Sequence, residues 1–271
     1  MSKIEWTEKT WNPLAGCTPV SAGCLNCYAA TMARRLEAMG QSKYIGTTKT
    51  VGGRAVFNGV IRLDYKALDS VNTTRKPTMY FVNSMSDLFH ENVPVEFIKR
   101  VFDVMKRNPR HTFQVLTKRA ARLAELAPSL EWPSNVWMGV SVEDQKAAND
   151  RIPHLLRVPA AIRFLSCEPL LGPVDIVNRQ YDGWNWSYTW PGRTTKPPID
   201  WVIAGGESGH HARPMQTEWA QSLREQCEFA DIAFFMKQLG GATDKRGKLD
   251  DLPVDLRVRE MPQPTAGVQT N

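Results

Sequence analysis

Cysteine and histidine are scarce in this 271-residue chain, five of each. That count excludes a disulfide-dense secreted scaffold. No apolar run reaches the ~20 residues that a membrane-spanning helix needs. The start, Met1-Ser2-Lys3-Ile4-Glu5-Trp6, does not have the pattern of a secretory signal. The expectation is a soluble cytoplasmic protein with reduced thiols. A glycine-rich phosphate fingerprint is missing too: Gly16…Gly23 does not fit one, which weighs against an open dinucleotide-binding sheet. Beyond the alternation of strands and helices there is no internal repeat.

What cysteine there is, is concentrated. Cys17, Cys24 and Cys27 stand in a C-x6-C-x2-C pattern between Gly16 and Tyr28. Three thiolates on one loop can hold three corners of a tetrahedral centre and leave the fourth open. In an iron–sulfur cube that corner is an iron without a protein ligand, free to take a small molecule. Zinc usually needs a fourth protein ligand to close a structural site, and the next histidine along the chain is His90. A disulfide would leave an odd thiol. The loop therefore has three readings: an open-cornered 4Fe–4S cluster, a zinc site, or thiols that bind nothing.

Hydrophobic residues make up 42% of the chain, ample for one large core, and the length suits a single α/β barrel domain over 1–256. A first short strand within Ser2–Asn12 leads into the cysteine loop. Helical spacing follows over Tyr28–Met39, then a polar excursion over Gln41–Thr78 with one strand pair at Ala55–Asp64. From there strands and helices alternate. Strands are predicted at Thr78–Asn83, Thr112–Thr117, Val136–Val142, Ile162–Ser166, Trp201–Ala204 and Ile232–Met236. Helices are predicted at Pro94–Arg107, Arg119–Ala127, Asp144–Leu156 and Thr217–Ala230. Such alternation implies βα units and a parallel sheet. The insertion Asp175–Pro198 crowds Tyr181, Trp184, Trp186, Tyr188 and Trp190 together and reads as a lid or substrate-binding loop. Residues 257–271 read as a disordered tail.

Apolar strands end repeatedly in groups able to bind or react: Asn83, Ser84, Ser86 and Asp87; Thr117, Lys118 and Arg119; Ser141 and Glu143. The later ones are Ser166, Cys167 and Glu168, then Gly205, Gly206, Glu207 and Ser208, then Lys237 and Gln238. In a parallel barrel these positions converge on the C-terminal face. The expected fold is a partial, open (β/α) TIM-type barrel with the cysteine loop on that face.

The stretches Trp11-Asn12-Pro13, Gly23-Cys24-Leu25-Asn26-Cys27-Tyr28, Ser84-Met85-Ser86-Asp87, Leu116-Thr117-Lys118-Arg119, Ser166-Cys167-Glu168-Pro169 and Gly205-Gly206-Glu207-Ser208 carry a resemblance. The chain resembles a phage- and bacteria-associated family of radical S-adenosylmethionine (radical-SAM) type, distantly similar to the spore photoproduct lyases. The first cysteine gap is six residues here, against three in the usual radical-SAM motif. The resemblance implies a 4Fe–4S cluster on Cys17, Cys24 and Cys27, with S-adenosylmethionine on its open iron. It also implies one-electron cleavage to a 5′-deoxyadenosyl radical, fed by a reductant such as ferredoxin or flavodoxin. Ser84, Ser86 and Asp87 are then candidates for the cosubstrate's amino group, Lys118 for its carboxylate, and Ser141 and Glu143 for its ribose. Gly205, Gly206 and Glu207 recur as a glycine-glycine-acid element. Cys167, with Glu168 beside it, is a candidate hydrogen-atom donor in catalysis.

The net charge of +6 and nine tryptophans permit a nucleic-acid partner, and DNA is the substrate expected. Buried tryptophan is the plainer use of the aromatics. Repair or modification of a damaged base by a monomeric enzyme is the expectation that combines these features. A zinc-stabilised nucleic-acid-binding barrel without redox chemistry is its alternative, and an interaction protein with vestigial cysteines a third.

Overall fold

The computed structural model describes residues 4–177, 180–181, 184–185 and 199–263. Its main sheet has seven strands: β1 (Lys9–Trp11), β2 (Met79–Val82), β3 (Thr112–Thr117), β4 (Val136–Ser141), β5 (Ile162–Cys167), β6 (Trp201–Gly205) and β7 (Ala233–Gln238). Every neighbouring pair is parallel, and spatial order follows chain order from β1 to β7. A doubly wound sheet would reverse direction at a switch point; this one does not. It curls into a half-barrel, the partial open (β/α) barrel that the alternation implied.

Among the described residues five helices of seven residues or more accompany it, besides a single turn at Tyr65–Leu68: α1 (Tyr28–Ala38), α2 (Val95–Arg107), α3 (Ala120–Leu126), α4 (Gln145–Leu156) and α5 (Thr217–Ala230). Helix α2 buries Phe97, Ile98, Val101, Phe102 and Met105, the stripe its spacing predicts. Asp144 caps α4 by accepting from the Ala147 amide at 2.8 Å.

Strand alternation sorts side chains onto two faces. Val82, Phe113, Val115, Met138, Leu165, Cys167 and Val202 belong to the core shared with the helices. Phe81, Trp137, Phe164, Trp201 and Phe235 form a second, separate cluster with Trp6. Here the rings of Trp6 and Phe81 lie 4.7 Å apart, and Trp201 meets Trp137 at 6.2 Å and Phe235 at 6.1 Å. Gly139 makes room for this packing, since a Cβ there would fall 2.4 Å from the Phe164 ring. Trp6, Trp11, Trp137 and Trp201 are all buried, the plainer use of tryptophan.

Two expectations change. The strand pair placed at Ala55–Asp64 is Thr48–Val51 against Arg54–Phe57, turned by Gly52 and Gly53 at φ 55° and 76°. Arg62–Leu63 pairs instead with Leu14–Ala15. This second pairing ties the excursion to the start of the cysteine loop. The tail expected to be disordered from 257 begins with residues that bond to β7, and residues 264–271 lie outside the described residues. Met236 donates to the Val258 carbonyl at 2.8 Å, and the Glu260 carboxylate accepts from the Phe234 amide at 2.9 Å. Composition misled there because the unpaired edge of β7 supplies backbone partners that a solvated tail lacks. The aromatic insertion lies for the most part outside the described residues. Among the described residues, no helix is long and apolar enough to cross a membrane.

Candidate functional site

The C-terminal ends of the strands surround a cavity of about 410 Å³, and Cys17, Cys24 and Cys27 all line it. The loop that carries them is fixed at both ends. Gly16, at φ 96°, runs so close to the excursion that a Cβ would fall 2.0 Å from the Val60 carbonyl oxygen. The Gly59 amide donates to the Cys17 carbonyl at 3.0 Å. At the other end Cys27 is the N-terminal flanking residue of α1. Between them Asn26 donates to Glu207 at 2.9 Å and to the His211 carbonyl at 2.8 Å.

Arg119 holds the middle of this arrangement. It is 6% exposed. Its Nη1 donates to the Cys17 Sγ at 3.6 Å and to Asp87 at 3.1 Å, its Nη2 to the Thr18 carbonyl at 3.1 Å, and its Nε to Glu91 at 3.0 Å. Asp87 accepts further from the Thr117 hydroxyl at 2.7 Å and from the Lys118 and Phe89 amides at 3.0 Å each. Buried His90 accepts from the Asn92 amide at Nδ1. The proton therefore sits on Nε2, which donates to the Thr18 hydroxyl at 2.7 Å.

Burial pushes the Cys17 thiol up to about 12; Asp87 adds to this and Arg119 opposes it. Burial also raises Cys27, against the pull of the first amides of α1 and of Lys118. Cys17 and Cys27 each feel a neighbouring cysteine of the loop, so the thiols are close enough to interact. Unligated, Cys17 and Cys27 keep their protons, and any metal must displace them. Among the described residues, no three or more His, Cys, Asp or Glu side chains gather as a single-ion site would. An iron–sulfur cube makes a different demand, because each thiolate meets its own iron and the three sulfurs stand apart across a face. The donor set, three thiols around one cavity with a guanidinium on one of them, fits that group.

This chain belongs to the family described as a protein of unknown function, DUF5131. The match spans residues 1–264. No curated protein matches the sequence. Among solved structures, a cysteine-to-serine mutant of spore photoproduct lyase is similar at 13% identity and a TM-score of 0.42. That match covers 89% of this chain and 59% of the lyase chain, so the family member spans less than two thirds of the lyase's length.

The predicted strand-end residues divide in this DUF5131 protein. Lys118 and Ser141 face the cavity together, with Lys118 Nζ donating to the Ser141 hydroxyl at 3.1 Å. Glu168 lines it as well, clamped by Lys237 Nζ at 2.6 and 2.8 Å. Glu207 lines it and is bound by Arg213, at 2.8 Å from Nε and 2.6 Å from Nη2. Burial opposes ionisation of Glu207, but the hydrogen bonds from Arg213 and Asn26 hold its carboxyl below the usual range.

Ser84 and Ser86 line the cavity with hydroxyls already engaged, Ser84 with Asn12 and Ser86 with the Leu14 carbonyl at 3.1 Å. Asp87 serves Arg119 in place of a ligand amino group. Gly205 and Gly206 do not line the cavity; Gly206 is needed because a Cβ would fall 2.0 Å from the Leu239 carbonyl oxygen.

Two expectations are overturned. Cys167 does not point into the mouth. It is fully buried in the helix-side core, because Ser166 takes the cavity-facing position and the next residue of a strand must face the other way. Burial pushes its thiol up to about 12, and Cys227 of α5 lies near enough to feel it. Glu143 is also absent from the cavity. It is 1% exposed, bound by Arg151 Nη1 at 2.7 Å, and packed against Gly23, where a Cβ would meet its carboxylate at 3.2 Å. Burial would raise it, yet Arg151 and Ser21 hold it below the usual carboxylate range. It is a buried prop beneath the cysteine loop.

The basic side chains of α2 and α3 are engaged within the fold. Lys99 pairs with Glu96 and Arg107 with Asp103. Lys106 pairs with Glu131, and Arg122 donates to the Glu91 and Val93 carbonyls.

Arg213 was among the partners the sequence offered for Glu207, and it is the one found; sequence reasoning missed Arg119 as a partner of sulfur, Asn26 as a second hold on Glu207, and Arg151 as the partner of Glu143. For Arg119 a signal existed: it closes the run Leu116-Thr117-Lys118-Arg119 at a strand end. Asn26 stands 181 residues from Glu207, and Arg151 eight residues beyond Glu143, a separation that marks no helical or strand repeat because the pair shares no element.

Proposed function

We propose that this DUF5131 protein is a radical-SAM-type enzyme that holds a 4Fe–4S cluster through Cys17, Cys24 and Cys27 and acts on a nucleic-acid base. The observation that carries the reading is the convergence of three thiols from one loop on a single cavity at the mouth of a half-barrel, with Arg119 bonded to Cys17. When bound, such a cluster supplies an electron to the sulfonium of S-adenosylmethionine and so generates a carbon-centred radical. The chain's own residues bind and orient. Arg119 offsets thiolate charge at Cys17, and Lys118 does so near Cys27 while also offering an ammonium to a ligand carboxylate. The aromatic cluster beneath keeps water from that end of the cavity. Cys167 has no part in the reading, since its thiol faces the helices. The net charge of +6 supports a polyanionic substrate over a neutral one, and a cytoplasmic setting with a low-potential protein reductant suits the chemistry.

The test is anaerobic reconstitution of the full chain, iron and sulfide analysis, and electron paramagnetic resonance of the dithionite-reduced protein with and without S-adenosylmethionine. About four irons and four sulfides per chain with a signal that the cosubstrate perturbs are expected. Stoichiometric zinc that persists through reconstitution, with no such signal, overturns the proposal in favour of a zinc-stabilised binding protein.

A further inference from the structure

Asn83 ends β2 on the cavity side, and its hydrogen bonding is incomplete in an unusual way. Its backbone is satisfied: the amide donates to the Trp11 carbonyl at 2.9 Å and the carbonyl accepts from the Ser86 amide at 3.3 Å. Its side chain is 3% exposed and lines the cavity, yet neither Oδ1 nor Nδ2 finds a partner. Asparagine at positive φ, here 65°, ordinarily bonds its side chain back to nearby backbone. This one makes no such bond. Trp6 repeats the pattern. It is 4% exposed, lines the same cavity, and its Nε1–H is unpartnered. Buried polar groups are left unmet in native proteins only rarely, and on this cavity Asn83, Trp6 and the Oδ1 of Asn26 are; Asn26 is already anchored through its Nδ2.

We propose that Asn83 and Trp6 form a subsite that reads the edge of a heteroaromatic base. This rests on the proposed function above and deepens it. A carboxamide offers one donor and one acceptor side by side, the complement of the acceptor–donor edge that adenine presents at N7 and N6 and cytosine at N3 and N4. The indole N–H supplies a further donor to a ring acceptor. The walls suit a flat ring, since Trp6 packs on Phe81 at 4.7 Å and Phe81 and Leu116 also line the cavity. A cavity of about 410 Å³ is within the size range of small-molecule sites. The base has two possible sources, the adenine of S-adenosylmethionine or a base of the nucleic-acid substrate.

The experiment separates them. Full-length protein, reconstituted anaerobically, is titrated with S-adenosylmethionine and, separately, with a short single-stranded DNA containing all four bases. Wild type is compared with Asn83→Asp, which tolerates the same backbone conformation and replaces the donor by an acceptor, and with Trp6→Phe. Unfolding midpoints identify any variant that fails to fold; Asn83→Gly, free at positive φ, then replaces it.

The expected result is a roughly fivefold to hundredfold weaker affinity for one of the two ligands, the range for losing a two-point base contact, with the other unchanged. Loss with S-adenosylmethionine assigns the subsite to its adenine, and loss with DNA assigns it to the substrate base. Unchanged affinity for both overturns the proposal. Both titrations are repeated without reconstitution, with adenosine replacing S-adenosylmethionine. A chain that takes up no cluster yet loses adenosine or DNA binding on substitution refutes the radical reading and leaves the base subsite standing.

Discussion

Arg119→Met removes a guanidinium that joins Asp87, Glu91, Thr18 and the sulfur of Cys17. The cost follows from what each partner retains. Asp87 is 5% exposed but keeps the Thr117 hydroxyl at 2.7 Å and two backbone amides at 3.0 Å, so its charge is not left bare. Glu91 is 61% exposed at its side chain and returns to water. Breaking a buried ion pair from one side costs ~3–5 kcal/mol, and the donors left on Asp87 place this case at the lower end, about 3 kcal/mol. For a chain of this size that corresponds to a fall in Tm of about 6–12 °C.

The loop should loosen as well as the fold. Without Arg119 the Thr18 carbonyl and the Cys17 thiol lose their tether, and only His90 still holds the Thr18 hydroxyl. Urea denaturation of the metal-free protein gives the stability change, and the rate of Cys17 modification by an aromatic disulfide reagent reports the loop. Arg119→Lys is expected to recover part of the stability through Asp87 but not the protection of Cys17, because an ammonium cannot span Asp87, Glu91 and sulfur at once. A stability loss below about 1 kcal/mol, with Cys17 reacting at the wild-type rate, would refute the view that Arg119 organises the loop.

Serine at Cys17, Cys24 or Cys27 should each abolish iron retention after anaerobic reconstitution, whereas Cys167→Ala and Cys227→Ala should retain it; iron analysis after gel filtration decides. The metal-free protein should lose stability on the alkaline side. Cys17 and Cys167 stand at about 12 in the fold and near ~8.5 unfolded, so the native state holds more protons between those values and its advantage, complete below about pH 8, shrinks as pH rises. A urea midpoint that is flat from pH 7.5 to 10.5 would contradict this. Gly139→Ala puts a methyl 2.4 Å from the Phe164 ring and should cost ~1–3 kcal/mol by overpacking; Phe164→Leu in the same chain should recover most of it, measured by thermal unfolding.

Much of the barrel was legible because strands buried on both faces read as continuous apolar runs. Thr112–Thr117 and Thr217–Ala230 have the same bounds in sequence and structure. The site was legible only as far as its face. Polar residues after each strand placed Lys118, Ser141, Glu168 and Glu207 on one cavity. Which of two adjacent residues points inward depends on where the strand's pleat stops, and a one-residue difference exchanged Ser166 for Cys167. Glu143 looked like a ligand because its partner, Arg151, lies eight residues on along α4 and is 4% exposed, a burial that no charge pattern announces. The start of the tail failed for the opposite reason: its partners come from the edge of β7, a tertiary contact invisible in composition.

The charges around the cavity argue for a ligand with two unlike ends. Arg119 is committed to Asp87 and Glu91, Lys237 to Glu168, and Arg213 to Glu207; a general polyanion trap would leave such cations free. Lys118 differs, since its ammonium meets only the Ser141 hydroxyl among its described hydrogen-bond partners, and its charge is felt at Cys27. Positive charge without a carboxylate partner is thus kept at the cysteine end, where three thiolates and a ligand carboxylate would need it. Around Trp6, Phe81 and Leu116 the lining is apolar apart from the unmet atoms of Asn83 and Trp6, and the one cation lining the cavity there, Lys245, is committed to Glu5. A molecule that joins an amino-acid head to a nucleobase has that polarity. S-adenosylmethionine is one, and so, under the function proposed above, the charge distribution favours its adenine over a substrate base as the first occupant of the proposed Asn83 subsite.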